Sequence, residues 1–547
     1  MSRDSDYTPD DALQNSVQQA FSKAVSLHQK GQTDQAVQLY REILQKQPDH
    51  ASSLHYLGLL VLERERIEEG ISLIKRSLAL APNTSLFHNN YGLALEKTAR
   101  LEEAISAFRR AIELNPDYPG THCNLAKALI NAERLNEAEI ACRHALALSP
   151  HEAEAHNILG LIQIKQSHFN DAEFAFRRAI QLKENYAGAY NNLGALYRES
   201  GELEKEIQAI KRALKIDPNT PDFHYNLAYA LLQSGDYKEG WREHEWRFQM
   251  KDISPRHFSQ PIWRGEDLTD KKILVWSEQG VGDEIMFASM IPDMAATASH
   301  CLVECDQRLV DLFKRSFAHV DVVPRSDPAH RKAQSTEIAY QVAAGSLGLW
   351  FRTSLDSFPK YAGFLKPDSV QVTKLRRRYR SWSQGRPVVG LSWRSGSSIS
   401  HRRTKRTLPL HQWQPILEDQ RIAFVNVQYG DCRQEIASVL NDIGVAIYQD
   451  TEIDTFNDLD GLAAQLASLD LIISIDNSTV HLAGALGQPV WGLLPFTCDW
   501  RWLKKRPDSP WYPSLQLFRQ SSPGDWASAL TQASNALTHA IESRLLH

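Results

Sequence analysis

Leu469–Pro495 reads LDLIISIDNSTVHLAGALGQPVWGLLP. Its first apolar run, Leu471–Ile475, has the length and β-branched character of a strand. The polar sequence Asp476-Asn477-Ser478-Thr479 follows. A helical pattern then runs from Val480 to Leu486 and stops at Gly487, and Val490–Leu494 reads as a second strand. Strand, polar turn, helix and strand make a βαβ unit, in which a ligand sits beyond the carboxyl end of the first strand. Asp476–Thr479 occupy that place. Backbone N–H groups of the first helical turn favour an anion there, by about 0.3–1 kcal/mol per charge. A plain helix cap by Asp476 or Ser478 explains the same residues. His481, one turn further on, either contacts a phosphate or satisfies a neighbouring loop.

Working outward, Pro387–Trp393 (PVVGLSW) begins the same α/β region, with Arg394-Ser395-Gly396 at its carboxyl end. A basic loop, Ser397–Thr407, carries Arg402, Arg403, Lys405 and Arg406. Helices are expected at His411–Glu418, Arg433–Leu440 and Leu459–Ser468, and a strand at Ala423–Val427. Asp458-x-Asp460 opens the last of these helices and reads as capping acid rather than a metal site. Beyond Leu494 comes Asp499-Trp500-Arg501-Trp502. Trp491, Trp500 and Trp502 either cover a nucleotide base or pack, and packing suits large aromatics better. Strand-like Leu515–Phe518 and helix Ala527–Ser543 close the chain.

Upstream, Lys272–Ser277 (KILVWS) is strand-like and Glu278–Asp283 (EQGVGD) forms a glycine turn before a helix from Glu284 to about Ala298. Gly280 and Gly282 allow close backbone approach to a ligand. Asp283 at the helix mouth is either an N-cap, which the residues alone favour, or a general base. Strands at Cys301–Glu304, Val320–Val323 and Ile338–Val342 alternate with helices at Gln307–Ser316 and Ser346–Arg352, a pattern that predicts a parallel sheet. Lys374–Arg386 (KLRRRYRSWSQGR) reads as a domain linker with a solvated basic face.

The first half is repetitive. Pro48, Pro82, Pro116 and Pro150 recur every 34 residues, Glu184 takes the next place and Pro218 resumes the series. Small residues keep the same register: Gly58, Gly92, Ala126, Gly160, Gly194 and Ala228. Such spacing lets paired antiparallel helices approach closely. It resembles the tetratricopeptide repeat. Six full repeats fit from about Val17 to Thr220, and a seventh helix pair runs from Pro221 to about Phe248. In that family the sixth repeat position lines a concave binding face. Here it holds Asn90, Asn124, Asn192 and Asn226, interrupted by Tyr56 and Ile158. These amides are candidate peptide-binding groups; alternatively they satisfy neighbouring helices.

Composition bounds the rest. The 547 residues exceed one core. A net charge of -5 gives no general attraction to nucleic acid. Six scattered cysteines without a CxxC pair suit a reducing compartment. The polar start MSRDSDYTPDDALQNS is unlike a signal peptide, and no apolar run approaches the roughly 20 residues of a membrane helix. A cytoplasmic location without a membrane span is expected.

Two α/β domains in tandem resemble GT-B glycosyltransferases. Gly282-Asp283 before a helix, Asp476-Asn477-Ser478-x-x-His481-Leu482-x-x-Ala485, and Arg406-x-x-Pro409-x-x-x-Trp413 are similar to the heptosyltransferase-like group. Joined to the repeats, the architecture also resembles protein O-GlcNAc transferases. The expected fold is therefore an all-α repeat superhelix followed by an α/β GT-B pair of Rossmann-like domains. Its expected parts are 17–250 (repeat array), 251–270 (linker), 271–373 (first Rossmann-like domain), 374–386 (linker) and 387–547 (donor-binding domain).

The resemblance implies a nucleotide-diphosphate sugar as donor, with no further cofactor and no metal. It implies Asp283 as base and Arg406 against donor phosphate. Gly282, Arg394, Lys405, Asp476, Asn477, Ser478, Thr479 and His481 are the donor-binding candidates, although Asn477-Ser478 replaces the Thr-Gly usual in the group. A protein or peptide held by the repeats is the expected acceptor. A scaffold with an inactive α/β region, and an enzyme acting on a glycan or lipid-linked acceptor, are the alternatives.

Overall fold

A computed structural model describes residues 9–250, 256–396 and 405–546. The chain forms two compact units, Met1–Ser200 and Gly201–His547.

Among its described residues the first unit contains helices and no strands. It begins with the pair Pro9–Gln29 and Thr33–Lys46 and continues in antiparallel pairs to Ala187–Glu199. The glycines of the repeat register sit where two helices touch. A Cβ on Gly92 would lie 2.5 Å from the Phe108 ring, and one on Gly160 2.6 Å from Phe176. Those approaches exclude any side chain larger than hydrogen without repacking. Ala104, Phe108, Ala138, Ala145, Ala172, Phe176 and Ala179 are fully buried between the helices.

The second unit opens with helix Leu203–Ile216 and the pair Pro221–Ser234 and Tyr237–His244, closed by a 3-10 turn, Glu245–Gln249. The repeat pattern therefore continues past the unit boundary, and its last helices cluster with the α/β region rather than with the array expected at 17–250. The reason is visible in their contacts. Trp241 is buried and its indole N–H donates to the Arg352 carbonyl at 2.8 Å. Tyr229 and Gln233 donate to the Cys498 carbonyl at 3.2 and 3.0 Å. Arg247 forks onto Glu278.

Two parallel sheets follow. The first contains β1 (Lys272–Trp276), β2 (His300–Cys305), β3 (Val320–Pro324) and β4 (Ile338–Ala343) in the order β3-β2-β1-β4. The second contains β5 (Val388–Ser392), β6 (Ala423–Asn426), β7 (Ile447–Tyr448), β8 (Leu471–Ile475), β9 (Val490–Leu494) and β10 (Leu515–Arg519) in the order β10-β9-β8-β5-β6-β7. β5 and β8 are buried along their whole length, as expected of strands covered on both faces. Strand order reverses beside β1 in the first sheet and between β5 and β8 in the second, which marks the switch points where ligands bind.

Three expectations change. The basic run at 374–386, expected as a linker with a solvated face, is helical through residue 383: it lies in helix Ser369–Ser383, capped by Asp368, with Leu375 and Tyr379 buried. Its charges are matched, because Arg378 bonds Asp450 and Glu452 while the Tyr379 hydroxyl donates to Asp450 at 2.8 Å. In the 251–270 segment, residues 251–255 lie outside the described residues, but Pro261–Trp263 run along Gln341 of β4 and Trp263 is buried. The helix expected from Glu284 to Ala298 breaks into Val281–Phe287, a 3-10 turn and Ile291–Thr297, the last with Pro292 in its first turn. Asp458 caps its helix through the Gly461 N–H at 2.8 Å, and Asp460 pairs with Arg315.

Candidate functional site

A cavity of about 520 Å³ opens at the carboxyl ends of both sheets. From the turn after β1 it takes Gln279–Asp283. From the turn after β8 it takes Asp476, Asn477, Ser478 and His481. Ser395 and Gly396 follow β5, and Arg406, Asp499, Trp500 and Arg501 close one side. Tyr225 and Tyr229 of helix Pro221–Ser234 form a further wall.

Local structure explains the geometry. Asn477 adopts an extended backbone and caps helix Ser478–Ala485, its Oδ1 accepting the Thr479 N–H at 2.9 Å. Its Nδ2 donates to Ser392 Oγ at 2.8 Å and to the Arg394 carbonyl at 3.1 Å, which ties β8 to β5. The amide is thus turned into the protein, and Ser478 is the half-buried residue left at the helix mouth. Gly282 lies against that helix: a Cβ there would stand 3.1 Å from His481 Cδ2. Gly280, not Asp283 as expected, is the N-cap: Asp283 sits at the third helical position, where its Oδ2 accepts the Gly280 N–H at 3.1 Å while Oδ1 bonds Arg501.

Charges alternate across the cavity. Arg501 joins Asp283 to Asp499, and Arg406 joins Asp499, at 3.0 Å, to Asp476, at 3.2 Å. Burial works to raise the Asp499 carboxyl, but Arg501 and Arg406 more than offset it and hold it well below the usual range. Burial pushes Asp476 up, with Arg406 opposing. Its Oδ2 is the oxygen that faces Arg406 Nη1 at 3.2 Å, an ion pair without hydrogen-bond geometry. His481 is buried, its Nδ1 at 2.9 Å from the Tyr512 hydroxyl and its ring 4.9 Å from Trp502. Burial, then Arg501, pushes its pKa down to about 3, so the imidazole is neutral. A neutral ring offers a hydrogen bond here but no countercharge.

Seven of the expected site residues meet at this cavity: Gly282, Asp283, Arg406, Asp476, Asn477, Ser478 and His481. Three do not. Arg394 turns its guanidinium to the Asp431 carbonyl, the Cys432 sulfur and Glu435, holding the loop after β6. Thr479 is buried with its hydroxyl towards Ser392. Lys405 is exposed and lines no part of the cavity. Arg402 and Arg403 lie outside the described residues. The sequence signalled a charged aromatic loop at Asp499–Trp502 and weighed roles for its tryptophans, but assigned none to Asp499 or Arg501 and gave no sign of Tyr225 and Tyr229. Trp500 lines the cavity and meets Trp241 edge-on at 5.4 Å; Trp491 packs on Phe518. Among the described residues no group of three or more His, Cys, Asp or Glu could hold a metal, and no helix is long and apolar enough to cross a membrane.

In the array, three candidate amides bridge repeats. Asn90 donates to His55 Nε2 at 3.0 Å, Asn124 to Asn89 Oδ1 at 3.0 Å and Asn192 to Asn157 Oδ1 at 2.9 Å. Asn226 is half-buried and also partnered. The amides thus already satisfy neighbouring helices; each of the three bridging amides spends a donor there.

Comparison with known proteins gives the class first. Tetratricopeptide-repeat family models match residues 21–84, 57–119, 97–162, 153–186 and 194–235, and the first half is a tetratricopeptide-repeat array. Among individual proteins, the chain is 35% identical over 313 residues to Protein FlbA of Caulobacter vibrioides, over 55% of this chain and 52% of that protein. The chain thus spans about half the length of the curated relative it matches. Solved structures that resemble it include the anaphase-promoting-complex hetero-tetramer Cut9-Hcn1 (18% identity, TM-score 0.38, 42% of this chain and 46% of that one). A tetratricopeptide repeat protein from Parabacteroides merdae is another (14%, TM-score 0.40, 43% and 94%).

Proposed function

We propose that this protein is a metal-independent glycosyltransferase of GT-B type that moves a sugar from a nucleotide-diphosphate donor to a protein or peptide acceptor bound by the repeats. One observation carries the reading: Asp283 from one sheet and Asp476-Asn477-Ser478 from the other line the same cavity, at the ends where parallel sheets bind ligands. The repeats support protein binding.

The chemistry follows from the charges. An acceptor hydroxyl oxygen bonds the anomeric carbon as the bond from that carbon to the donor phosphate oxygen breaks. The hydroxyl proton passes to Asp283, and the departing diphosphate takes the electron pair. Asp283 becomes available as a base when Arg501 shifts from it to the incoming phosphate. Arg406 and the N-terminal N–H groups of helix Ser478–Ala485 receive the new negative charge, and each charge-assisted hydrogen bond contributes about 1.5–3 kcal/mol.

The decisive experiment is a thermal-shift screen of nucleotide sugars, followed by transfer and donor-hydrolysis assays with the binder. A ligand that binds the folded state raises apparent stability, by about 2.7 kcal/mol at a hundredfold excess over Kd. Asp283→Ala and Asp476→Ala are expected to abolish turnover in folded protein; unchanged turnover in both refutes the assignment. The scaffold reading draws on the closed Asp283–Arg501 pair, which occupies the base, and it is favoured if no nucleotide sugar shifts the melting temperature.

A further inference from the structure

Five charged side chains meet in one row at the cavity: Asp283, Arg501, Asp499, Arg406 and Asp476. The three carboxylates are not held alike. Asp283 is 21% exposed and accepts the Gly280 N–H as well as Arg501. Asp499 accepts the Arg501 backbone N–H and both guanidinium groups. Hydrogen bonds of that kind hold a carboxylate in its ionised form. Asp476 ends the row with its side chain 3% exposed, and its Oδ2 meets Arg406 across 3.2 Å without a hydrogen bond.

Arg406 is shared between Asp476 and Asp499. A diphosphate entering the cavity competes for that guanidinium and brings negative charge of its own. Asp499 keeps Nη1 of Arg501 when this happens. Asp476 does not have that second support: among the described residues its ion pair is with Arg406. An ionised carboxylate left in a dry wall beside a diphosphate is costly, and such a group neutralises by taking a proton. Burial already pushes the Asp476 carboxyl up, with Arg406 opposing. Of the other groups that face it, Asp499 raises it further and Arg501 lowers it, while burial keeps the Cys498 thiol neutral. His481, on the helix that follows it, is neutral too.

We propose that donor binding is coupled to proton uptake at Asp476: the incoming diphosphate draws Arg406 away, Oδ2 takes one proton from solvent, and the neutral acid donates that O–H to the ligand. This rests on the glycosyltransferase reading above and adds a proton linkage to its donor site. One O–H bond forms on Oδ2 and no other covalent bond changes. The carboxyl turns from a group that repels an oxyanion into one that donates to it. A site that takes up a proton with its ligand binds more weakly as pH rises, by up to about tenfold per pH unit.

The test uses the full chain and a panel of uridine-, guanosine-, adenosine-, cytidine- and thymidine-diphosphate sugars, whose diphosphate diester stays ionised across the neutral range. Calorimetric titration with the sugar that binds, in Tris and in MOPS at pH values from about 6 to 9, counts protons from the dependence of heat on buffer ionisation. Uptake of about one proton per ligand is expected within that window, with affinity falling as pH rises. Asp476→Asn, which cannot titrate, is expected to bring the count near zero and flatten the pH profile, whereas the count survives Asp283→Asn. A count near zero in the parent across the window overturns the proposal, and so does a count that survives Asp476→Asn. Infrared difference spectra of the parent need no variant: the carbonyl stretch of a protonated carboxyl is expected to appear on ligand addition, and its absence overturns the proposal too. If no sugar of the panel binds, the glycosyltransferase reading fails and this one falls with it; binding without proton uptake overturns this one alone.

Discussion

Replacing Arg247 by Met tests what fixes the last repeat to the α/β region. The Arg247 side chain is 0% exposed and that of Glu278 7%. Nε and Nη2 of Arg247 donate to the two Glu278 oxygens at 2.8 and 2.7 Å; Nη2 also reaches Ser346 at 2.8 Å, and Nη1 reaches Glu245 at 2.7 Å. With Met in place, Glu278 keeps the Gly345 N–H at 3.0 Å. Removing one partner of a buried pair costs about 3–5 kcal/mol, whereas replacing both by apolar groups is often neutral. Arg247→Met is therefore expected to destabilise by about 3 kcal/mol or more, and Arg247→Met with Glu278→Leu to recover at least about half of that. The assay is urea unfolding followed by tryptophan fluorescence. All 13 tryptophans lie beyond residue 240, so the signal reports on the unit Gly201–His547 alone. With an m value of about 3 kcal/mol/M, the single variant moves the midpoint by about 1 M. A coupling energy below about 0.5 kcal/mol, the range of exposed pairs, refutes the reasoning.

Gly282→Ala brings a Cβ to 3.1 Å from His481 Cδ2. His481 is fixed by Tyr512 and Trp502 and cannot give way cheaply, so a loss of about 1–3 kcal/mol is expected in the same fluorescence melt. Any donor-induced thermal shift shrinks with it. His481→Gln is expected to flatten the acid limb of stability. The folded pKa is depressed, to about 3, so the unfolded chain binds the extra proton between there and the ordinary value of about 6.5. The stabilisation is thus complete above pH of about 6.5 and is lost as pH falls towards 3, with a slope of about 1.4 kcal/mol per pH unit. Urea melts at pH values across that window, with and without the substitution, measure the difference.

The βαβ unit at Leu471–Leu494 and the helix pairs were legible because their information is local: apolar period, caps and 34-residue spacing. Gly282, Asp283 and Asp476–Ser478 were legible as turn residues at strand ends, and parallel topology then brings them together. What the sequence hid is long-range pairing. Asp283 meets Arg501 across 218 positions, and no local pattern in Asp499-Trp500-Arg501 states that partner. Arg394 looked suited to a phosphate until the loop after β6 claimed it. In the basic run at 374–386 the charge density masked two buried helix-face residues, Leu375 and Tyr379, spaced one turn apart. Tyr225 escaped notice because a tyrosine in a repeat helix ordinarily packs.

Arg247, Trp241 and Gln233 sew one pair of helices to both lobes. The unit that holds both sheets therefore begins at Gly201, some seventy residues before the first strand. Anyone grafting a different array onto this chain must make the splice no later than Gly201 and carry the last helices along with the lobes they prop.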